Sequence, residues 1–137
     1  MNAELPVTQL ADLAGRLELG LVALFGSHAR GQARPDSDLD LGVGRQDGRR
    51  LTARELGALR LELSRWSGRE ADVVDLLAAD ALLRFEVARD GRALWEAEPG
   101  AWSAFVARTL IDHDDLAPFL SSFVAAVGRA ARGGAPR

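Results

Sequence analysis

Residues 21–41 read L-V-A-L-F-G-S-H-A-R-G-Q-A-R-P-D-S-D-L-D-L, and this stretch decides the fold. The apolar block Leu21–Phe25 predicts a strand that stops at Gly26, where the backbone can turn without a Cβ clash and present Ser27 at its tip. Such a tip suits a nucleotide phosphate. Asp38 and Asp40 alternate with Leu39 and Leu41, so the strand period of two puts both carboxylates on one face and both leucines on the other. Two like charges this close repel unless a cation lies between them. Mg²⁺, which takes a few carboxylates together with phosphate oxygens and water, is the natural candidate.

The combination G-S, A-R-G and S-D-x-D-L behind an apolar strand resembles the active-site signature of the minimal nucleotidyltransferases of the DNA polymerase β superfamily. The resemblance covers roughly residues 7 to 96; its first segment is specific and the remainder weak. It implies that the serine turn (Gly26, Ser27) holds the nucleotide's phosphates, that Asp38 and Asp40 bind magnesium, and that a third carboxylate on a neighbouring strand completes the site. Two-metal nucleotidyl transfer needs carboxylates that hold two cations about 3.5 to 4 Å apart. Asp72, Asp75 and Glu70 compete for the third position. Asp72 and Asp75 lie on opposite faces of the predicted strand, and the start of D-V-V-D-L is where the resemblance places the third acid. Asp72 is therefore selected as ligand and general base, with Asp75, otherwise a solvated strand residue, as the one that would exchange roles with it. Asp36 shares the parity of Asp38 and Asp40 but follows Pro35, and reads as a turn residue or as a group that supports the metal ligands from behind.

A chain of 137 residues suits one domain and buries roughly two-thirds of its unfolded surface, enough for a core without disulfides. There is no cysteine, which excludes a disulfide framework and a thiolate metal site. No apolar run approaches the ~18 residues of a membrane span, and the N-terminus lacks the basic start of a signal peptide, so a soluble, cytoplasmic protein is expected. A net charge of −3 gives no strong signal for nucleic acid. All 17 basic residues other than histidine are arginine. With no lysine to steady a triphosphate, Arg30 or Arg34 must do so, through the planar fork that suits phosphate oxygens.

Outward from the motif, Val7, Leu10, Leu13 and Leu17 predict an opening amphipathic helix through about Leu19. Strand one is Leu21–Phe25 and strand two Ser37–Val43, paired antiparallel or lying side by side. Leu56, Leu59, Leu63 and Trp66 form the stripe of a crossover helix, with Thr52 and Glu55 as its capping box and Gly68 as its end. Ala71–Leu77 reads as strand three, Asp80 caps a helix through about Arg89, and Arg92–Glu96 forms a last short strand. Trp102, Phe105, Val106, Thr109, Leu110 and His113 mark one helical face, and Leu116, Leu120, Phe123, Val124 and Val127 a second. The expectation is an α/β fold with a small mixed sheet, helices on one side of it and a C-terminal helical hairpin. Residues 1–97 would be the nucleotidyltransferase core, 98–132 the hairpin and 133–137 a disordered tail. The hairpin stripes carry more apolar surface than one thin sheet face covers, so part of the hairpin is a candidate interface.

Other polar and aromatic residues read more plainly. His28 is a turn residue and His113 a core or interface histidine; Trp66, Trp95 and Trp102 are packing residues; Glu86 and Arg89 are the solvent side of a helix. The expected activity is Mg²⁺-dependent transfer of AMP from ATP to a hydroxyl, with Asp38, Asp40 and Asp72 holding two ions and Gly26, Ser27 and Arg30 the nucleotide. The resemblance further implies an antitoxin that adenylylates a tyrosine of a partner HEPN ribonuclease toxin. The alternatives are a purely steric antitoxin and a small-molecule transferase, of the aminoglycoside kind, acting as a dimer, a homo-oligomer joined through the C-terminal hairpin.

Overall fold

Every residue of the strand Leu19–Phe25 (β1) except Gly20 is apolar, and an uninterrupted apolar strand is one covered on both faces. The computed structural model, which describes residues 7–32, 34 and 38–112, shows this arrangement. β1 is an inner strand of a four-stranded sheet in the order β3-β2-β1-β4, with β2 Leu39–Arg45, β3 Ala71–Asp75 and β4 Arg92–Glu96. It pairs antiparallel with both β2 and β4, whereas β2 and β3 run parallel.

The parallel pair requires a crossover, supplied by the helix Ala53–Ser67 (α3). Its start is fixed locally: the Thr52 hydroxyl accepts from the Glu55 N–H at 3.1 Å, and the Glu55 carboxylate accepts from the Thr52 N–H at 2.8 Å, the predicted capping box. Leu59 and Leu63 are buried, with Leu56 and Trp66 packed beside them. The opening helix Val7–Arg16 (α1) stops short of the predicted Leu19, because Glu18 takes a left-handed turn at φ 54° and Leu19 enters the sheet. Of its predicted stripe, Leu10 and Leu13 are buried while Val7 is exposed.

The two faces of β1 carry two cores. Leu19, Val22 and Leu24 meet α1, α3 and the leucines of β2; Leu21 and Ala23 meet Leu76 and Val87. Leu19 joins Val22, despite the odd spacing, because the register slips at Gly20. The second core is roofed by the helices Ala81–Asp90 (α4) and Ala101–Ile111 (α5), which add Leu83, Trp102 and Phe105. The expectation of helices on one side of the sheet is thus corrected: the helices cover both faces, and the apolar residues at alternate positions of β1 are the reason. Asp80 caps α4 by accepting from the Leu83 N–H at 2.8 Å, and β4 occupies the predicted Arg92–Glu96.

α5 buries Val106, Thr109 and Leu110 as its stripe predicted. The second half of the expected hairpin, the stripe from Leu116 to Val127, lies outside the described residues, as do His113 and the 133–137 tail. Among the described residues, no helix is long and apolar enough to cross a membrane.

Candidate active site

The site grows from the end of β1. Phe25 is followed directly by a single helical turn, Gly26–Ala29 (α2), which carries Ser27 in its first turn and Arg30 as its C-cap. Gly26 adopts φ +73°, and a Cβ there would collide with the Asp40 carboxylate. Both constraints demand glycine. Across the antiparallel ladder Phe25 faces Asp40, and across the parallel ladder Asp40 faces Asp72. Two acids at matched register on neighbouring strands share one face. That face is the one roofed by α4, since Leu39, Leu41, Ala71 and Val73 occupy the opposite core.

Asp40, Asp72, Phe25, Gly26 and Arg30 line a cavity of about 350 Å³, closed on its far side by Leu83, Glu86, Arg89 and Asp90 of α4. Asp38 precedes β2 and is exposed rather than lying within the strand. It is near enough to act on Asp40. The Asp40 carboxyl titrates above its ordinary range, first because burial penalises its charge, then because Asp72 and Asp38 repel it; His28 and Arg30 offset this in part. A carboxylate strained in this way is one a divalent cation would relieve, so the donor set fits a magnesium ion. As placed, no three acidic or histidine side chains converge to hold a metal among the described residues. Asp72 leans instead toward Arg60, at 3.7 Å.

Asp75 is not the solvated residue that its sequence position suggested. It is buried, at 5 % exposure, and faces away from Asp40. Its carboxylate accepts from the buried Leu51 N–H at 2.8 Å and from the Leu77 N–H at 2.9 Å, pinning the loop before α3. Asp75→Ala strands a buried donor and should cost about 2–3 kcal/mol in denaturant unfolding. Asp75→Asn, which keeps one acceptor oxygen, should cost less, and neither should alter nucleotide affinity. Glu70 is exposed just before β3, with its carbonyl accepting from Leu39 N–H at 2.8 Å. Trp66 and Trp95 pack on the first core and Trp102 on the second, as packing residues should.

The α4 wall was invisible to motif reading. Glu86 and Arg89 are solvent-accessible, as expected, but they are accessible to this cavity. The spacing that could have revealed it is Leu83, Glu86 and Asp90, at i, i+3 and i+7 on one helical face. A larger cavity, about 510 Å³, lies toward the other end of the same face, bordered by Arg45, Arg84, Phe105 and Arg108. It holds none of the motif residues.

A Gly-Ser turn abutting an acid of one strand, with a second acid beside it on a parallel neighbour, defines the class of protein: a nucleotidyltransferase. The chain belongs to the polymerase β nucleotidyltransferase family, whose model matches residues 9–99. Among solved structures, a toxin–antitoxin complex with AMP-PNP contains a chain that is 24% identical, with a TM-score of 0.70, over 90% of this chain and 98% of that one. The complex of a tri-AMPylated Shewanella oneidensis HEPN toxin with its MNT antitoxin matches at 22% identity and a TM-score of 0.63, over 88% of this chain and 94% of that one. A minimal nucleotidyltransferase is 36% identical over 64% of this chain and 88% of its own length, with a TM-score of 0.55. No curated protein matches the sequence.

Proposed function

We propose that this nucleotidyltransferase moves AMP from ATP to a tyrosine hydroxyl of a partner HEPN ribonuclease toxin, and so serves as its antitoxin. The observation that carries the chemistry is the register match of Asp40 and Asp72 beside the Gly26–Ser27 turn. Asp38, Asp40 and Asp72 are the residues that would hold two Mg²⁺ ions; bound there, the metal lowers the pKa of an attacking hydroxyl and neutralises charge on the triphosphate. Asp72 leaves Arg60 to take up this role. The Ser27 hydroxyl and the Arg30 guanidinium donate to phosphate oxygens. The tyrosine oxygen forms a bond to the α-phosphorus, the bond from that phosphorus to pyrophosphate breaks, and the phenolic proton passes to Asp72.

Support for the partner comes from the similar folds, which were solved as toxin–antitoxin complexes, one with AMP-PNP and one with an AMPylated toxin. The chain itself contains no tyrosine. A tyrosine-directed activity therefore acts in trans. Co-expression with the neighbouring gene product, followed by intact-mass measurement, should show AMP additions on that product and none on this chain. An unmodified but neutralised partner would make the antitoxin steric.

Division of labour gives a sharper expectation. Asp72→Asn should lose turnover by roughly 10²–10⁴-fold, the usual worth of a positioned base. It should keep much of the MgATP affinity, because a base acts mainly in the transition state whereas the Asp38 and Asp40 pair carries ground-state binding. Calorimetric titration alongside single-turnover transfer checks both, and wild-type turnover in Asp72→Asn would remove it from the site.

A further inference from the structure

The α4 wall of the cavity is held by an arrangement that the proposed transfer chemistry has not used. Arg89 is clamped on two sides. Its Nε donates to Asp90 Oδ1 at 3.0 Å and its Nη2 to Asp90 Oδ2 at 2.8 Å, a two-point fork, while its guanidinium carbon lies 5.4 Å from the centre of the Phe85 ring. The same Asp90 oxygen lies 3.8 Å from Nη1 of Arg30, which comes from the turn after β1. One carboxylate therefore ties together two guanidiniums from opposite walls of the cavity. Asp90 is itself well anchored: its side chain is 19% exposed, and a Cβ on the next residue, Gly91, would strike the Val87 and Leu24 carbonyls. The end of α4 can approach the end of β1 this closely only with glycine there.

The charges lining the cavity give this cluster a purpose. Asp40, Asp72, Glu86 and Asp90 are acidic, and Arg30 and Arg89 are the basic side chains among the described lining residues. With no lysine anywhere in the chain, a polyanion entering the cavity has these guanidiniums to meet it. We infer that Arg89 is a second phosphate-binding residue of this site, set beside Arg30 by Asp90 so that the pair grips the β- and γ-phosphates of the nucleotide. The inference rests on the nucleotide-transfer reading above. Arg89 touches the ligand, whereas Asp90 is a positioning residue that acts through the two arginines.

A grip on the terminal phosphates separates ATP from AMP, which a merely structural role would not do. The test is calorimetric titration of wild type, Arg89→Ala, Arg89→Lys and Asp90→Asn with ATP and, separately, with AMP, in the presence of Mg²⁺. Arg89→Ala should weaken ATP binding roughly tenfold, the worth of a charge-assisted hydrogen bond, and leave AMP binding unchanged. Arg89→Lys, which keeps the charge and loses the fork, should fall between. Asp90→Asn, which removes the carboxylate that sets the two guanidiniums, should shift ATP binding in the same direction and leave AMP binding unchanged. Wild type that binds ATP while Arg89→Ala keeps the wild-type ATP-to-AMP ratio, or loses both ligands equally, overturns the clamp alone. Wild type that binds neither nucleotide overturns the transfer reading and the clamp with it.

Discussion

Asp40→Asn is expected to abolish AMP transfer, by roughly 10³-fold or more, while leaving the fold intact and slightly more stable without divalent cation. The first half follows from the metal-binding role proposed for the carboxylate: a metal's stabilisation of transition-state charge is worth several kcal/mol, and each ~1.4 kcal/mol is tenfold in rate. The second half follows from its surroundings. Burial and the charges of Asp72 and Asp38 raise the Asp40 pKa in the folded chain above its unfolded value. The native state therefore holds the proton at pH values where the unfolded chain has released it. Stability falls as pH climbs from the unfolded pKa through the raised folded one, and the penalty is fully present above that. Asparagine removes a charge that was destabilising at neutral pH. Thermal melts of wild type without divalent cation should therefore improve on mild acidification across that window more than those of Asp40→Asn. Adding Mg²⁺ should stabilise wild type and not the variant. Measuring melting and labelled-AMP transfer on one sample decides it: retained activity would remove Asp40 from the chemistry.

Gly26→Ala should be nearly as damaging to transfer for a different reason. Alanine at φ +73° costs about 1–2 kcal/mol in a left-handed conformation. Its Cβ must also displace the Asp40 carboxylate. A misplacement of about 1 Å at a reacting centre can cost ~10²-fold in rate. The expected outcome is a folded protein, modestly destabilised, with transfer reduced about a hundredfold. Transfer at the wild-type rate would show that the carboxylate can move without consequence.

These two residues also show what the sequence made legible. Gly26 and Asp40 belong to a contiguous motif, where residue types and spacing already encode a turn and a strand face, and the structure adds that the two are in contact. The choice of Asp72 over Asp75 combines strand parity, a local property that only separates the two acids, with the position that the family resemblance gives the third carboxylate. Its physical counterpart is the buried hydrogen bond of Asp75 to Leu51, which binds that acid to loop architecture instead. The capping box of α3 was readable because Thr52 and Glu55 are three residues apart. What sequence could not give was the approach of distant elements. Whether α4 would lie on the same face as α3 or on the opposite one depends on how both faces of β1 are filled. The contribution of Arg89 and Asp90 to the cavity depends in turn on that placement. Glu86 and Arg89 looked like a solvated helix face because a helix wall of a polar cavity has the same composition as a helix wall facing water.

The proposed metal-assisted nucleotide site lies between β1, β2, β3 and α4, and not in the larger arginine-bordered cavity toward the other end of the same face. Crystals grown with Mn²⁺ and a non-hydrolysable ATP analogue test this most directly, through the anomalous signal of the manganese. The predicted result is manganese density coordinated by Asp40 and Asp72, with the analogue's phosphates against Ser27 and Arg30. Nucleotide seated among Arg45, Arg84 and Arg108, with no manganese at Asp40, would contradict it.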